Sequence, residues 1–296
     1  MSEINPGVIL SPADFADTGQ WRLMIYITLT GMEAYLQHVA DETRPLVRLF
    51  AESRECEPGV AMSADTLLVD IEKMIYSHPS LLDDYATEIV VETPLVAWMP
   101  AEYLRDADEV REESVFSKLY PASGGEVMTE RVGELEAIYS FAEGFEGFMA
   151  RTLPGARMRC HQGVLVENLA RRPANHEFRI YVDYHGGLAD MLLFRGEALL
   201  SVATSAYASE ADLSAAITNI LDLYGIAPAE VELRMAGDAE ACEAVMLMLE
   251  ERCGSREMLK LPALTAGSGL PLAIELLIER NQQAMTEGDA EACNDN

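Results

Sequence analysis

The stretch Glu177-Phe178-Arg179-Ile180-Tyr181-Val182-Asp183 alternates, with Phe178, Ile180 and Val182 on one face, which is the period-two pattern of a half-buried strand. Tyr184-His185-Gly186-Gly187 then supplies turn residues, and a second strand is predicted from Leu188 to Phe194. Arg195-Gly196-Glu197 turns the chain into a third, Ala198 to Thr204. Three strands joined by such short loops pair as an antiparallel meander, because a parallel return needs a long crossover. A helix comes next. Ser209 with Asp212 three residues on reads as a capping box, Leu213, Ala216, Ile217, Ile220, Leu221 and Tyr224 form one apolar stripe, and Gly225 occupies the left-handed C-terminal position. Val231 to Met235 is a fourth strand. Asp238 caps a second helix with Ala241, Cys242, Val245, Met246 and Leu249 inward, and Arg256 to Leu261 makes a fifth strand. The order βββαβαβ implies a mixed sheet covered by helices.

Upstream, the same order recurs less cleanly. Strands are predicted over Trp21–Leu29, Met32–Val39 and Leu46–Ala51, then a helix capped by Ser63 with Leu67, Leu68, Ile71, Met74 and Ile75 inward. Glu88–Glu92 and Leu95–Met99 are extended on either side of Pro94. Helices around 101–119, 143–153 and 163–171 and strands around 125–131, 134–141 and 157–160 complete this half. No residue-level repeat accompanies the repeated order. The expected division is an N-terminal extension over 1–20, a first lobe over 21–172 and a second over 176–283. The second lobe includes a C-terminal helix started by Pro271, and a disordered acidic tail follows over 284–296.

Composition bounds the function classes. The 296 residues are 49% hydrophobic and 24% charged, values of a globular chain, but the formal net charge is −29. Fifty acids against 21 bases repel phosphate backbones and anionic lipid, so neither nucleic acid nor direct membrane insertion is expected. No apolar run reaches the roughly 18 residues of a membrane span, and the N-terminal residues lack the basic start and apolar core of a signal peptide. The five cysteines are odd in number and form no Cys-x-x-Cys pair, which points to free thiols in a reducing compartment; a cytoplasmic protein is expected.

The stretch from Cys160-His161-Gln162-Gly163, through the meander and the Ser209 helix, to Met235-Ala236-Gly237 resembles an uncharacterised bacterial family, domain of unknown function 3822. That family is similar in fold to actin-like ATPases, including the cytoplasmic actin-like proteins of pilus and type II secretion machines. The resemblance implies an α/β chain of two ribonuclease H-like lobes, the actin-like ATPase superfold, with mixed five-stranded sheets flanked by helices. It carries no established activity.

Actin-like ATPases clamp nucleotide phosphates with two hairpin turns, each offering an Asp and then small residues that let the backbone approach the anion. The first hairpin here, Ile27-Thr28-Leu29-Thr30-Gly31-Met32-Glu33, keeps Thr30 and Gly31 but has no aspartate on its strand. The second keeps Asp183 and Gly186, with His185 where the ATPases carry glycine; imidazole there would obstruct a phosphate. The adenosine turn, Met235-Ala236-Gly237-Asp238, retains the single Gly237 before an acid. Thr30, Gly31, Asp183, His185, Gly186 and Gly237 are therefore the candidate cofactor-binding positions. A ribonuclease H-type nuclease would need converging carboxylates, the first where this chain has Tyr26, Ile27 and Thr28. The five histidines show no metal-ligand spacing. Cys160 and His161, adjacent at a strand end, are expected to point in opposite directions. The leading reading is a non-catalytic actin-like scaffold or adaptor with a protein partner or as a homodimer, needing no cofactor. The alternative is an atypical Mg-ATP-binding protein using the candidate positions in an interlobe cleft.

Overall fold

The computed structural model describes residues 17–39, 46–53, 64–105, 112–121, 124–185, 188–261 and 270–294. The chain divides into two compact units, Met1–Gly163 with Leu277–Asn296, and Val164–Leu276.

The first unit contains β1 (Trp21–Ile27), β2 (Gly31–His38), β3 (Val47–Ser53), α1 (Ala64–Ser77), β4 (Ala86–Val91), β5 (Val96–Pro100), α2 (Glu102–Arg105), α3 (Glu112–Leu119), β6 (Glu126–Val132), β7 (Leu135–Phe141), α4 (Phe145–Thr152) and β8 (Arg157–Cys160). Its main sheet has the order β3-β2-β1-β4-β8; β1, β2 and β3 pair antiparallel, and β1, β4 and β8 run parallel. The central strand β1 is buried on both faces. Leu23, Ile25 and Ile27 pack with Ile71 and Ile75 of α1 and with Phe145, Phe148 and Met149 of α4. The strands from 96 to 141 form a separate sheet, β5-β7-β6. Ala137 and Tyr139 of β7 face the main core, whereas Ile138 packs with Ala97 and with Phe116 of α3 in a smaller one.

Helix α5 (His161–Leu169) carries the chain across the unit boundary, which falls after Gly163 rather than at the expected 172. A Pro and Asn cluster marks a bend at 171–175, but a bend is not where contacts separate.

The second unit holds β9 (Phe178–His185), β10 (Leu188–Arg195), β11 (Ala198–Ala206), α6 (Glu210–Leu223), β12 (Val231–Gly237), α7 (Ala239–Met248) and β13 (Ser255–Met258). The predicted meander is present, and the sheet order β11-β10-β9-β12-β13 matches that of the first unit. Mixed five-stranded sheets flanked by helices are thus as expected in both. Ile180, Val182, Met191, Leu193, Leu233 and Met235 face Leu213, Ile217 and Leu221 of α6 and Val245 of α7. Each such fully buried side chain contributes about 1.5–3 kcal/mol relative to exposure. Ser209 caps α6 as predicted, accepting from the Asp212 amide at 3.2 Å, and Gly225 ends it at φ +64°.

Helix α8 (Leu272–Asn294) departs from the expected assignment to the second lobe: from Leu277 onward it belongs to the first unit. Its polar residues explain this. Gln37 Nε2 donates to the Ile278 carbonyl (3.1 Å), Asn281 Nδ2 donates to Gln37 Oε1 (2.9 Å), and Arg22 donates to Asn281 Oδ1 (2.5 Å). Arg280 pairs with Glu88 at 2.5 Å. The helix also runs through residues 284–294, expected as a disordered tail, where Ala and Glu are good helix formers. Among the described residues no helix is long and apolar enough to cross a membrane.

One buried charged cluster joins the two sheets of the first unit. Glu130 on β6, 9% exposed, accepts from Arg159 Nε at 2.5 Å and from the Cys160 amide at 2.6 Å; Arg159 is 1% exposed. Burial raises the Glu130 carboxyl above the usual carboxylate range, while the Arg159 charge and the Cys160 amide pull against it. Gly163 is required alongside, because a Cβ there would stand 2.6 Å from Glu130 Oε2. Glu130→Ala would strand a buried cation. It should lower the unfolding free energy by about 3–5 kcal/mol in urea denaturation, with Glu130→Gln less damaging because it keeps an acceptor for the amide.

Candidate functional site

Thr30 and Gly31 sit in the β1–β2 turn, which closes on itself. The Thr28 amide donates to the Gly31 carbonyl (2.9 Å), and Thr28 Oγ1 accepts from the Thr30 amide (3.0 Å). The Thr30 N–H, a donor that could meet a phosphate oxygen, is bonded within the turn. Gly31 is explained by packing, since a Cβ would lie 2.5 Å from the Glu52 carbonyl oxygen on β3.

In the second unit, Asp183 and Gly237 are neighbours on parallel strands, with Ala236 opposite Asp183 and Gly237 opposite Tyr184. Asp183 is buried and lies directly across from Asp190 of β10, which is also buried and accepts from the Thr204 hydroxyl. Gly237 has φ +107°, and a Cβ would run into the Tyr184 carbonyl oxygen, which accepts from the Asp238 amide at 2.9 Å. Asp238 caps α7 as predicted, accepting from the Ala241 amide at 2.9 Å. Its carboxylate therefore occupies the positive end of that helix. His185 closes β9, with its side chain outside the described residues, and Gly186 lies outside them altogether.

Sequence reasoning assigned no site role to a second group of residues. The C-terminal ends of the parallel strands β4 and β8, beside β1, carry buried Glu92, Thr93, His161 and Gln162. Tyr26 donates to Glu92 Oε2 at 2.8 Å, and Trp98 Nε1 donates to Gln162 Oε1 at 2.8 Å. A carboxylate thus stands beside the first strand after all, supplied by the neighbouring one. The available signal was polar Glu92-Thr93 directly after the apolar run Ile89-Val90-Val91, at the strand ends where open α/β sheets bind ligands. Cys160 and His161 do not point apart: Sγ lies 4.0 Å from Nδ1, because α5 begins at His161 and the strand alternation stops one residue earlier.

Three comparisons bear on this arrangement. The profile of a family described as "Protein of unknown function (DUF3822)" matches residues 14–251. A Bacteroides thetaiotaomicron VPI-5482 protein, with an actin-like ATPase fold and unknown function, superposes at a TM-score of 0.71 and 16% identity, covering 90% of this chain and 98% of that one. A chain of the PilM-PilN type IV pilus biogenesis complex superposes at 0.52 and 12% identity, over 88% of this chain and 98% of that one. No curated protein matches the sequence. At these identities the likeness shows the fold, which is that of the actin-like ATPases.

Gly237→Ala should cost at least about 3 kcal/mol by thermal or urea unfolding, since strain at positive φ adds to the carbonyl clash. Burial pushes the Cys242 thiol up to about 12 and Cys253 to about 11. Peptide mapping after iodoacetamide treatment at neutral pH should leave both unlabelled in the native protein and labelled after denaturation.

Proposed function

The chain belongs to the family described as protein of unknown function DUF3822, and on that premise we propose that it is a non-catalytic actin-like scaffold or adaptor, acting in the cytoplasm through protein–protein contacts. The observation that carries this reading is the local use of groups that would otherwise receive phosphate. The Thr30 amide is bonded to Thr28, the positive end of α7 is filled by Asp238, and Gly31 and Gly237 are each required by a neighbouring backbone carbonyl. The net charge of −29 supports a protein partner over a polyanion. A chain of this fold in a complex with PilN lends the same support.

A second reading, Mg-ATP binding, is favoured by one observation: buried Glu92, held by Tyr26 at the strand ends, could supply the carboxylate that β1 lacks. Thermal unfolding with millimolar Mg-ATP separates the two. A ligand at 100 times its dissociation constant stabilises a fold by about 2.7 kcal/mol. The scaffold reading expects no shift. A saturable rise in melting temperature would overturn it, and loss of that rise in Glu92→Gln would assign the binding to the second reading.

A further inference from the structure

Among the described residues, three sheets present six edge strands, and five of these carry charges or a proline that discourage further pairing. β3 has Arg48 and Glu52, β8 has Arg157 and Arg159, β13 has Arg256 and Glu257, and β6 has Glu126, Glu130 and Arg131. β5 is five residues long and ends in Pro100. Charges and proline on an edge are the usual means of blocking an added strand. β11 has neither. It reads Ala198-Leu199-Leu200-Ser201-Val202-Ala203-Thr204-Ser205-Ala206, nine residues without charge, proline or glycine, in a chain that is 24% charged. Seven of the nine, Leu199 to Ser205, are half-buried on a strand that forms the end of its sheet.

From this we infer that β11 is a self-association edge: two copies of the chain pair antiparallel along it and join their five-stranded sheets into one. A second copy is the occupant that fits best. With a net charge of −29, two copies repel over most of their surface, and β11 is the edge where uncharged backbone meets uncharged backbone. The flanking charges choose the direction. Parallel pairing in register would set Glu197 against Glu197 of the second copy. Antiparallel pairing about Val202, the middle residue, sets it against Tyr207. Such a pair is two-fold and closes on itself rather than growing into a fibre. The small side chains of Ser201, Ala203, Thr204 and Ser205 let the second strand approach closely. The Leu200 carbonyl already accepts from the Tyr224 hydroxyl at 2.8 Å, so the ladder draws on the rest of the strand.

The inference deepens the scaffold reading by naming a surface and a partner, and the two can fail separately: nucleotide binding would end that reading and leave the dimer untouched. The test is sedimentation velocity on the full chain from about 1 to about 100 µM, the range suited to a contact at the small end of interface sizes. The expected result is a concentration-dependent doubling of mass, absent in Val202→Lys, with unchanged circular dichroism. Val202→Cys places two thiols across the two-fold axis and should give a covalent dimer under mild oxidation at a yield that wild type does not reach. A wild-type chain that is monomeric throughout overturns the inference, as does a folded Val202→Lys variant that still dimerises. If the lysine variant does not fold, cross-linking of Val202→Cys no greater than wild type overturns it instead.

Discussion

The contact between Glu130 and Arg159 is the constraint around which the first unit is arranged. Both groups are almost wholly removed from water, where an ionised side chain persists only with a partner and with hydrogen bonds for its remaining atoms. Glu130 meets both needs. One oxygen receives the guanidinium, and the other receives the Cys160 amide at the junction of β8 and α5. A helix leaves its first amides without intrahelical partners, and a carboxylate at that end also complements the helix dipole. One side chain from the three-stranded sheet therefore fixes the last strand of the main sheet and the start of the helix that follows. The absence of a side chain at Gly163 lets it approach.

The other end of α5 is held by a similar device with the opposite sign. Arg179 of β9 is 2% exposed and gives its guanidinium to the carbonyls of Ala170, Arg172 and Gly196, the first two just past the last turn of α5. Its cation also lies over the rings of Phe194 (5.7 Å) and Tyr181 (6.0 Å). The helix on which the chain passes between units thus has an anion at its amino end and a cation at its carboxyl end, each anchored in a sheet.

What could be read from the sequence was what short-range physics decides. The meander follows from alternation and loop length, and the caps at Ser209, Gly225 and Asp238 from side-chain chemistry within three residues; all are present. Strand partnership at longer range could not be read. β5, β6 and β7 alternate as any half-buried strands do, and nothing in that period says that they form a sheet of their own. Arg159 and Arg179 look in sequence like surface residues of half-exposed strands, because their partners lie on elements that periodicity cannot bring together. The site shows the same division. Thr30, Gly31, Asp183 and Gly237 were found as turn or strand-end residues, but their neighbours Glu52, Asp190 and the Tyr184 carbonyl, which account for them, were not. Glu92 is not legible as a partner of the first strand because it follows an adjacent strand, a neighbourhood set at long range.

The return of α8 to the first unit has a consequence for biosynthesis. Arg22 on the first strand finds its Asn281 partner 259 positions later, and Gln37 is satisfied from the same helix. A ribosome adding about 5–20 residues per second needs on the order of tens of seconds to deliver that segment after β2 has emerged. Until then Gln37, buried in the finished molecule, has no helix above it, and the whole of the second unit has been synthesised in the interval. The first unit therefore cannot be completed before residues 278–281 have been made, because Arg22 and Gln37 take their partners from them.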